Sequence, residues 1–560
     1  MVLFRRLTFA AIALAAATAL TALLFSALAP GGWSVAKFLI VVCFGGAAPW
    51  LGICAGNAVV GFALLMLSGN PARAVLPKGA DPTAEKIPER TALVVTIRHE
   101  DMALVLPPLR RLLDGLDAAG FGDRFGLAIL SDTQDAARVA AEARAVAAFQ
   151  ADDPAPARIF YRRRARNDGF KAGNVMAYFD HHAAAYAAAI MLDADSEMTA
   201  AAVLQLLRIL HSAPHLGIVQ HLTVGLPAEA AFPRLFQFGM RAGMRVWATG
   251  QAWWQGDEGP YWGHNAALRI APFRAHARLA PLPDGSTILS HDQVEAARLR
   301  AAGWGVAMWA DETGSAERNP PALPEFLARD SRWLAGNLQY LSLLGAPGLR
   351  PMGRWQLLQA ILLFAGAPLY AAMLALACVA VALGETASVP AGRTAALALA
   401  WPLVLYGPKL LGYLQVLASP AERARYGGGA RFARGALAEI LFTLLLDAPM
   451  TLSKTFALIR VLTGHGSGWA AQNRGARGVG WAEATRLFWP HTLAGIAAFA
   501  ALAHGSWGAA LWAAPFAGGL PVAIPFCVLT ANPRVSSWLR RAGIAAVPEE
   551  FLPPPGFSAV

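Results

Sequence analysis

The spacing of apolar positions divides the chain into regions of different kind. Long apolar runs occupy residues 7–30, 38–68, 356–383, 393–417, 487–505 and 507–530. A helix needs about 20 apolar residues to cross a bilayer. Each run comes close to that length or exceeds it, so the pattern predicts about six spans. Between residues 70 and 350 the pattern changes. Short apolar runs of strand length stand at Thr91–Ile97, 125–130, 158–161, 188–192, Leu216–His221 and 265–270. Helical spacing separates them at 102–118, 134–149, 171–187 and 292–302. Short strands apolar on both faces, joined by helical crossovers, predict a parallel sheet in an α/β domain. Residues 435–463 are apolar but interrupted by Asp447 and Pro449, with arginines on both flanks. Two halves of about 13 residues cannot each cross a hydrocarbon core of about 30 Å. They read as interfacial helices in preference to one span.

Composition agrees with the membrane reading. Only 15% of the 560 residues are charged and 56% are hydrophobic, against about 25% charged in an ordinary soluble protein. The net charge of +11 suggests nucleic acid at first sight, but the placement of the cations points elsewhere. Arg5 and Arg6 precede the first run, Arg73 and Lys78 follow the second, and Arg423, Arg425, Arg431 and Arg434 follow the fourth. Cytoplasmic loops are enriched in Lys and Arg, so both termini, the large domain and the 419–434 loop are expected in the cytoplasm. The connections near 30–37 and 384–392 then face the other side, and no nucleic-acid partner is expected. Arg5-Arg6, an apolar run and Ser26-Ala27-Leu28-Ala29 also have the layout of a secretory signal. The length of the run favours an uncleaved span, and the topology is the same either way. Cys43, Cys54, Cys378 and Cys527 all lie inside apolar runs, which excludes a disulfide framework or a CxxC zinc site in the soluble domain.

Ligands of open α/β sheets bind outside the carboxyl ends of the strands, and acidic residues collect there. Asp132 follows the second strand, Asp193 and Asp195 end the fourth in Leu192-Asp193-Ala194-Asp195-Ser196, and Asp292 opens a helix in Leu289-Ser290-His291-Asp292. An Asp before a helix is often only an N-cap, which alone could explain Asp292. Two Asp separated by one residue at a buried strand end would repel each other and resist ionisation. A divalent cation removes that cost, and Mg²⁺ (or Mn²⁺) takes one or two carboxylates and completes its shell with phosphate oxygens and water. The Asp-x-Asp triplet therefore suggests a metal–diphosphate site. Arg162, Arg163, Arg164 and Arg166, followed by Lys171-Ala172-Gly173-Asn174, suit a phosphate-bearing ligand; a solvated basic face is the plainer reading. On a later helix, Arg332 can supply charge to a leaving phosphate and Trp333 a flat face for a sugar, although a lone Trp there is also an ordinary core residue.

In this order the elements resemble the processive family-2 glycosyltransferases, the group that contains cellulose and hyaluronan synthases. The series is Asp132, Asp193/Asp195, Ser290-x-Asp292 and Arg332-Trp333, over residues 90 to about 340. LSD (130–132), IFYRRR (159–164), LDADSEM (192–198), YWGHNAALR (261–269), LSHD (289–292), NPP (319–321) and RDSRWLAGNLQY (329–340) are similar to the branch that makes osmoregulated periplasmic glucans. Arg329 stands where cellulose synthases have Gln, and His99-Glu100 replaces an early Asn-Glu pair. The chain is also shorter than the best-known members, so regulation residing in their terminal extensions is not implied.

The resemblance implies an α/β GT-A type cytoplasmic glycosyltransferase domain inserted in an all-α transmembrane bundle of about six spans plus interfacial helices. The expected layout is two spans in 1–70, the GT-A domain in 71–350, two spans in 351–418, a cytoplasmic loop with interfacial helices and gating loop in 419–485, two spans in 486–532 and a tail in 533–560. It further implies Asp292 as catalytic base and Asp195 with Asp193 as metal ligands. Thr96, Glu100, Asp132, Arg164, Lys171, Asp193 and Arg332 would bind UDP, and His264, Asn265 and Trp333 the sugar or acceptor. Trp469, Gln472 and Arg474 form a gating-loop candidate, with a plain amphipathic linker as the competing reading. The reaction implied is inverting transfer from UDP-glucose to a growing β-1,2-glucan in the inner membrane, coupled to export. The implied partners are the lipid bilayer, an acyl carrier protein and periplasmic glucan-processing proteins. Another family-2 polysaccharide or glycolipid product, and a nucleotide-sensing transporter, stand as alternatives.

Overall fold

A computed structural model describes residues 2–88, 90–465, 475, 477–554 and 557. The helices Val2–Leu28, Val35–Leu67, Pro351–Ala382, Gly429–Leu462 and Trp481–Gly505 are each long and apolar enough to cross a membrane. Ala391–Leu405 and Gly407–Ala418 add a sixth if they form one span, bent by 75°. These helices mark the chain as a membrane protein.

The helices differ from expectation in two places. Residues 429–462 form one continuous helix of 34 residues, not two short halves, with Pro449 inside it. Polar side chains along the helix, Asp447 of the expected break among them, are absorbed by neighbours. Asp447 accepts from the Tyr406 hydroxyl, and Glu439 pairs with Lys409 at 2.7 Å. Conversely, 507–530 is not one helix but two, Trp507–Ala517 and Ala523–Thr530, of 11 and 8 residues. At 1.5 Å per residue these reach only about 16 and 12 Å. The break at Gly518-Gly519-Leu520-Pro521 is packed tightly, since a Cβ on Gly519 would meet Leu445 O at 2.2 Å.

The intervening region is α/β. Its strands are β1 (Thr91–Ile97), β2 (Phe125–Ser131), β3 (Ile159–Arg163), β4 (Ala188–Asp193), β5 (Glu197–Met198), β6 (Leu216–His221), β7 (Val224–Gly225), β8 (Ala266–Arg269), β9 (Gly305–Trp309) and β10 (Ser315–Glu317). Seven of them make one sheet in the order β3-β2-β1-β4-β8-β6-β9, and β5-β10-β7 make a second, smaller one. Helices such as Met102–Ala118 and Ala200–Ser212 bury their apolar stripes on the large sheet, against Leu93, Val95, Ile129 and Leu192. Thr96 lies opposite Asp193 and Ile97 opposite Ser131, so one register brings Thr96, Asp132 and Asp193 to the same edge.

The large sheet is mixed, where a parallel one was expected. β8 runs antiparallel to both β4 and β6. After β6 the chain passes through β7 and along the helix Ala231–Gln255, then returns at the carboxyl edge and must enter the slot between β4 and β6 from that side. The consequence is functional: residues 263–265, which precede β8, sit at the same edge as Asp193.

The helix Ala231–Gln255 joins the α/β region to the apolar helices. A Cβ on Gly61 would lie 1.9 Å from Val246 O, and one on Gly250 would lie 2.3 Å from Asn57 O. Only glycine lets the two backbones approach so closely, as at small-residue helix interfaces. Trp254 Nε1 donates to Asn57 Oδ1 at 2.9 Å in the same contact. On its far face the helix carries arginines into a buried ion cluster. Arg241 bonds Glu312 at 3.0 Å and both oxygens of Glu549, Arg245 reaches Glu422 at 2.8 Å, and Arg425 reaches Glu312 at 2.7 Å. Burial alone would raise the Glu312 carboxyl, but Arg241, Arg245 and Arg425 outweigh it and hold the group well below the usual carboxylate range. Glu312→Gln leaves this buried positive charge undercompensated and is expected to destabilise the fold by about 3–5 kcal/mol. The check is the thermal unfolding midpoint in detergent; an unchanged midpoint would mean that Glu422 and Glu549 suffice.

Candidate active site

A cleft of about 730 Å³ opens at the carboxyl edge of the large sheet. Its floor is the end of β4 and the loop that follows, where Asp193 and Asp195 line the cavity. The loop is fixed by the Asp193 N–H donating to Ser196 Oγ at 3.0 Å. β5 follows at once and is held antiparallel to β10. Thr96, near the end of β1, and Glu100, just after it, line the neighbouring wall together with Asp132. The 99–100 turn is pinned by the His99 N–H donating to Thr133 Oγ1 at 2.9 Å, and His99 adopts a positive φ of 61°.

Arg164 stands elsewhere than expected. It does not line the cleft; its Nε and Nη2 hold both oxygens of Asp132, at 2.7 and 2.9 Å, and it also donates to the carbonyls of Asp168 and Phe170. It therefore orients Asp132 and shapes the turn before the helix Phe170–His181. Lys171, in the first turn of that helix, does reach the cleft. Its ammonium is paired with the Asp193 carboxylate and donates to Gly263 O at 2.7 Å.

The opposite wall is the 261–265 turn. Gly263 (φ 81°) and Asn265 (φ 48°) both take left-handed backbone conformations. His264 lines the cleft, with Nε2 lying 3.5 Å from a Glu317 oxygen. Asn265 does not face the cleft, contrary to expectation. Its side chain is fully buried and donates to Ser315 Oγ at 2.9 Å and Ala316 O at 3.3 Å, so it fastens the turn to β10. Asparagine tolerates the left-handed conformation better than most residues, which accounts for this residue type at the position.

Asp292 opens the helix Asp292–Ala301 and is half-buried in the cleft wall. A Cβ on Gly263 would lie 3.4 Å from Asp292 Cβ and 3.8 Å from Lys171 Nζ, so base candidate and phosphate-side ammonium flank one glycine. Desolvation raises the Asp292 carboxyl above its ordinary value, against the pull of His291, the Gln293 N–H and Lys171. His291 is itself lowered by burial, but Glu295, bonded at 2.8 Å, reverses this and leaves it raised. The segment before Asp292 is docked on the helix Leu323–Leu338 and the turn after it. Gln339 accepts from the Leu289 N–H at 2.8 Å, Tyr340 donates to Ser290 O at 2.8 Å, and Gly336 leaves room for Ser290 Oγ. The same helix presents Arg332 and Trp333 to the cleft. Arg329 stacks over the Trp333 ring at 4.5 Å, and Trp333 remains 42% exposed.

Two sets of lining residues were not anticipated. Glu317, at the end of β10, has its carboxyl raised by burial, with Asp195 and Asp193 adding to the effect and His264 and Arg329 opposing it. Its nearness in sequence to the 319–321 string was the available signal. Trp50, Trp247, Gln251, Gln356, Gln359 and Phe364 continue the cleft between the apolar helices, and nothing in a single sequence pairs positions so far apart. Trp469, Gln472 and Arg474 lie outside the described residues.

The mixed α/β sheet with a cleft at its carboxyl edge is the architecture of a glycosyltransferase of GT-A type. Residues 189–409 match the family model described as glycosyl transferase family group 2. Glucans biosynthesis glucosyltransferase H of Xylella fastidiosa is 33% identical over 543 residues, covering 94% of this chain and 85% of that protein. Its counterpart in Xanthomonas campestris pv. campestris is 34% identical over 553 residues (95% and 85%), and that of Caulobacter vibrioides is 33% identical over 531 residues (89% and 78%). The chain belongs to the glucans biosynthesis glucosyltransferase H family. Among solved structures, a mannosyltransferase from Pyrobaculum calidifontis in complex with GDP-Man and Mn²⁺ gives a TM-score of 0.42 at 14% identity, covering 74% of this chain and 99% of that one.

Proposed function

We propose that this glycosyltransferase moves glucose from UDP-glucose, with inversion, onto a growing β-1,2-linked glucan at the cytoplasmic face of the inner membrane, and passes the product towards the periplasm. The observation that supports the reading is the convergence of Asp292, Lys171 and Asp193 around Gly263 at one wall of the cleft, where a base and a phosphate-binding ammonium could act on one bound donor. Family membership supplies the glucan. Two further contacts support the location. Arg6 pairs with Glu258 at 3.2 Å and Arg5 donates to Trp253 O, so the start of the first apolar helix lies on the side of the catalytic region.

In this mechanism the Asp292 carboxylate accepts the proton of an acceptor hydroxyl as that oxygen attacks the anomeric carbon. The new bond forms on the face opposite the departing UDP, whose C–O electron pair leaves with the diphosphate. Lys171 and Arg332 place positive charge beside that diphosphate, while Thr96, Glu100 and Asp132 border the nucleoside. His264 and Trp333 flank the sugar and acceptor.

Asp193 and Asp195 fit a divalent cation of the Mg²⁺ or Mn²⁺ kind. They offer hard oxygen donors, and among the described residues there is no group of three His, Cys, Asp or Glu that could hold a metal alone, so phosphate oxygens would complete the shell. When bound, such an ion supplies further charge stabilisation to the leaving group.

Purified protein with Mg²⁺ and radiolabelled UDP-glucose is expected to yield a glucan in which linkage analysis finds 1,2 bonds; no turnover with UDP-glucose would refute the reading. Asp292→Asn is expected to lose at least about 100-fold in turnover while UDP binding is kept within about twofold, and a fully active variant would reassign the base. Because Asp292 must be ionised to act and its carboxyl is raised, activity should fall as pH drops, with the acid limb lying above the usual aspartate value of about 3.9. A pH–rate profile with its limb at or below that value would contradict the role.

A further inference from the structure

The acidic side chains lining the cleft are Glu100, Asp132, Asp193, Asp195, Asp292 and Glu317. The mechanism above uses all but the last. Glu317 ends β10, where it pairs in register with Gly225 of β7, and β10 also holds β5 directly after the Asp-x-Asp loop. The carboxylate is thus carried by the same small sheet that fixes the loop bearing Asp193 and Asp195. Across from it, His264 Nε2 lies 3.5 Å away. Asn265 fastens the His264 turn to Ser315 and Ala316, on the very strand that bears Glu317. The two side chains are therefore held as a unit at the cleft surface, 14% and 23% exposed for His264 and Glu317.

Glu317 stands on a different strand from the Asp-x-Asp loop, across the cleft wall from His264. At 3.5 Å the His264–Glu317 contact is longer than a charge-assisted hydrogen bond of about 2.7–2.9 Å, which leaves the carboxylate able to accept from a further donor. The 263–265 turn touches both the diphosphate side, through Lys171, and the base side, through Asp292. On the donor reading above, the transferred hexose lies along this turn, where its ring hydroxyls can reach His264 and Glu317. A carboxylate accepts hydrogen bonds from adjacent hydroxyls, and a site built to bond a hydroxyl rejects a sugar that presents it wrongly.

We propose that Glu317, held against His264, binds the ring hydroxyls of the hexose being transferred and sets which nucleotide-sugar is used. This rests on the donor reading given above. The test compares wild type, Glu317→Gln and Glu317→Asp for UDP affinity, for KM and kcat with UDP-glucose, and for the preference over UDP-galactose, which differs in one hydroxyl. Losing a hydrogen bond to a charged group should raise KM for UDP-glucose about tenfold or more and reduce the preference for UDP-glucose by a similar factor. UDP affinity should stay within about twofold, because UDP carries no hexose.

Unchanged KM and preference would overturn the proposal, as would UDP affinity falling in step with KM in both variants. If Glu317→Gln fails to bind UDP, Glu317→Asp, which keeps the charge but withdraws the carboxylate by one methylene, carries the same comparison. Turnover of UDP-glucose by the wild type with unaltered variants sinks this proposal alone. A wild type inactive with UDP-glucose sinks the donor reading, and this proposal falls with it.

Discussion

Carboxylates from several strand and helix ends face one cleft, and at an effective dielectric of about 20 two of them 4 Å apart repel by about 4 kcal/mol. The site can exist with its acids ionised only where cations are fixed among them. Lys171 does this beside Asp193. Its ammonium takes the Asp193 carboxylate and the Gly263 carbonyl together, so one charge both offsets the Asp-x-Asp loop and ties it to the turn beside Asp292. Arg164 does the same for Asp132. At Asp292 desolvation outweighs the pull of His291 and Lys171, and its carboxyl rises. A raised carboxylate is a better proton acceptor, and substrate phosphates arriving near Lys171 would compete for the ammonium that now pulls it down.

Holding those groups in place requires a rigid connection to the membrane helices. The helix Ala231–Gln255 meets Val35–Leu67 through Gly61 and Gly250, and its arginines lock onto Glu312, in the segment between β9 and β10. That segment leads directly to Ser315 and Glu317. The ion cluster therefore sets the height of β10 against the sheet, and through Asn265 the position of His264. Glu549 enters the same cluster, which ties residues near the C-terminus to the wall of the site.

Much of this was legible from residue order. Apolar run length located the long helices, and position singled out Asp132, Asp193 and Asp195 at strand ends and Asp292 at a helix start before any geometry was known; the strand expected before Asp292 is a loop in the structure. Direction was harder to read. β8 looks like any short apolar strand, and only the return path after Ala231–Gln255 makes it antiparallel. The 34-residue helix over 429–462 was hidden because Asp447 and Pro449 look like interruptions until Tyr406 is seen to satisfy the carboxylate. The opposite error at 507–530 came from counting apolar residues across a Gly-Gly-Leu-Pro break. Arg164 and Asn265 were expected in the cleft because their strings carry the family pattern; each acts one residue away, by holding Asp132 or by fastening His264. A single sequence shows residue types near a site but not which of two neighbours turns inward.

The central claim is that one gap, bounded by Asp193, Lys171 and Asp292, holds the donor sugar ready for in-line displacement. A structure of the Asp292→Asn protein with UDP-glucose and Mg²⁺ would test it most directly. The account predicts the diphosphate against Asp193, Asp195 and Lys171, with the anomeric carbon facing residue 292 on the side away from the phosphate. A nucleotide bound outside this cleft, or an anomeric carbon turned away from residue 292, would contradict it.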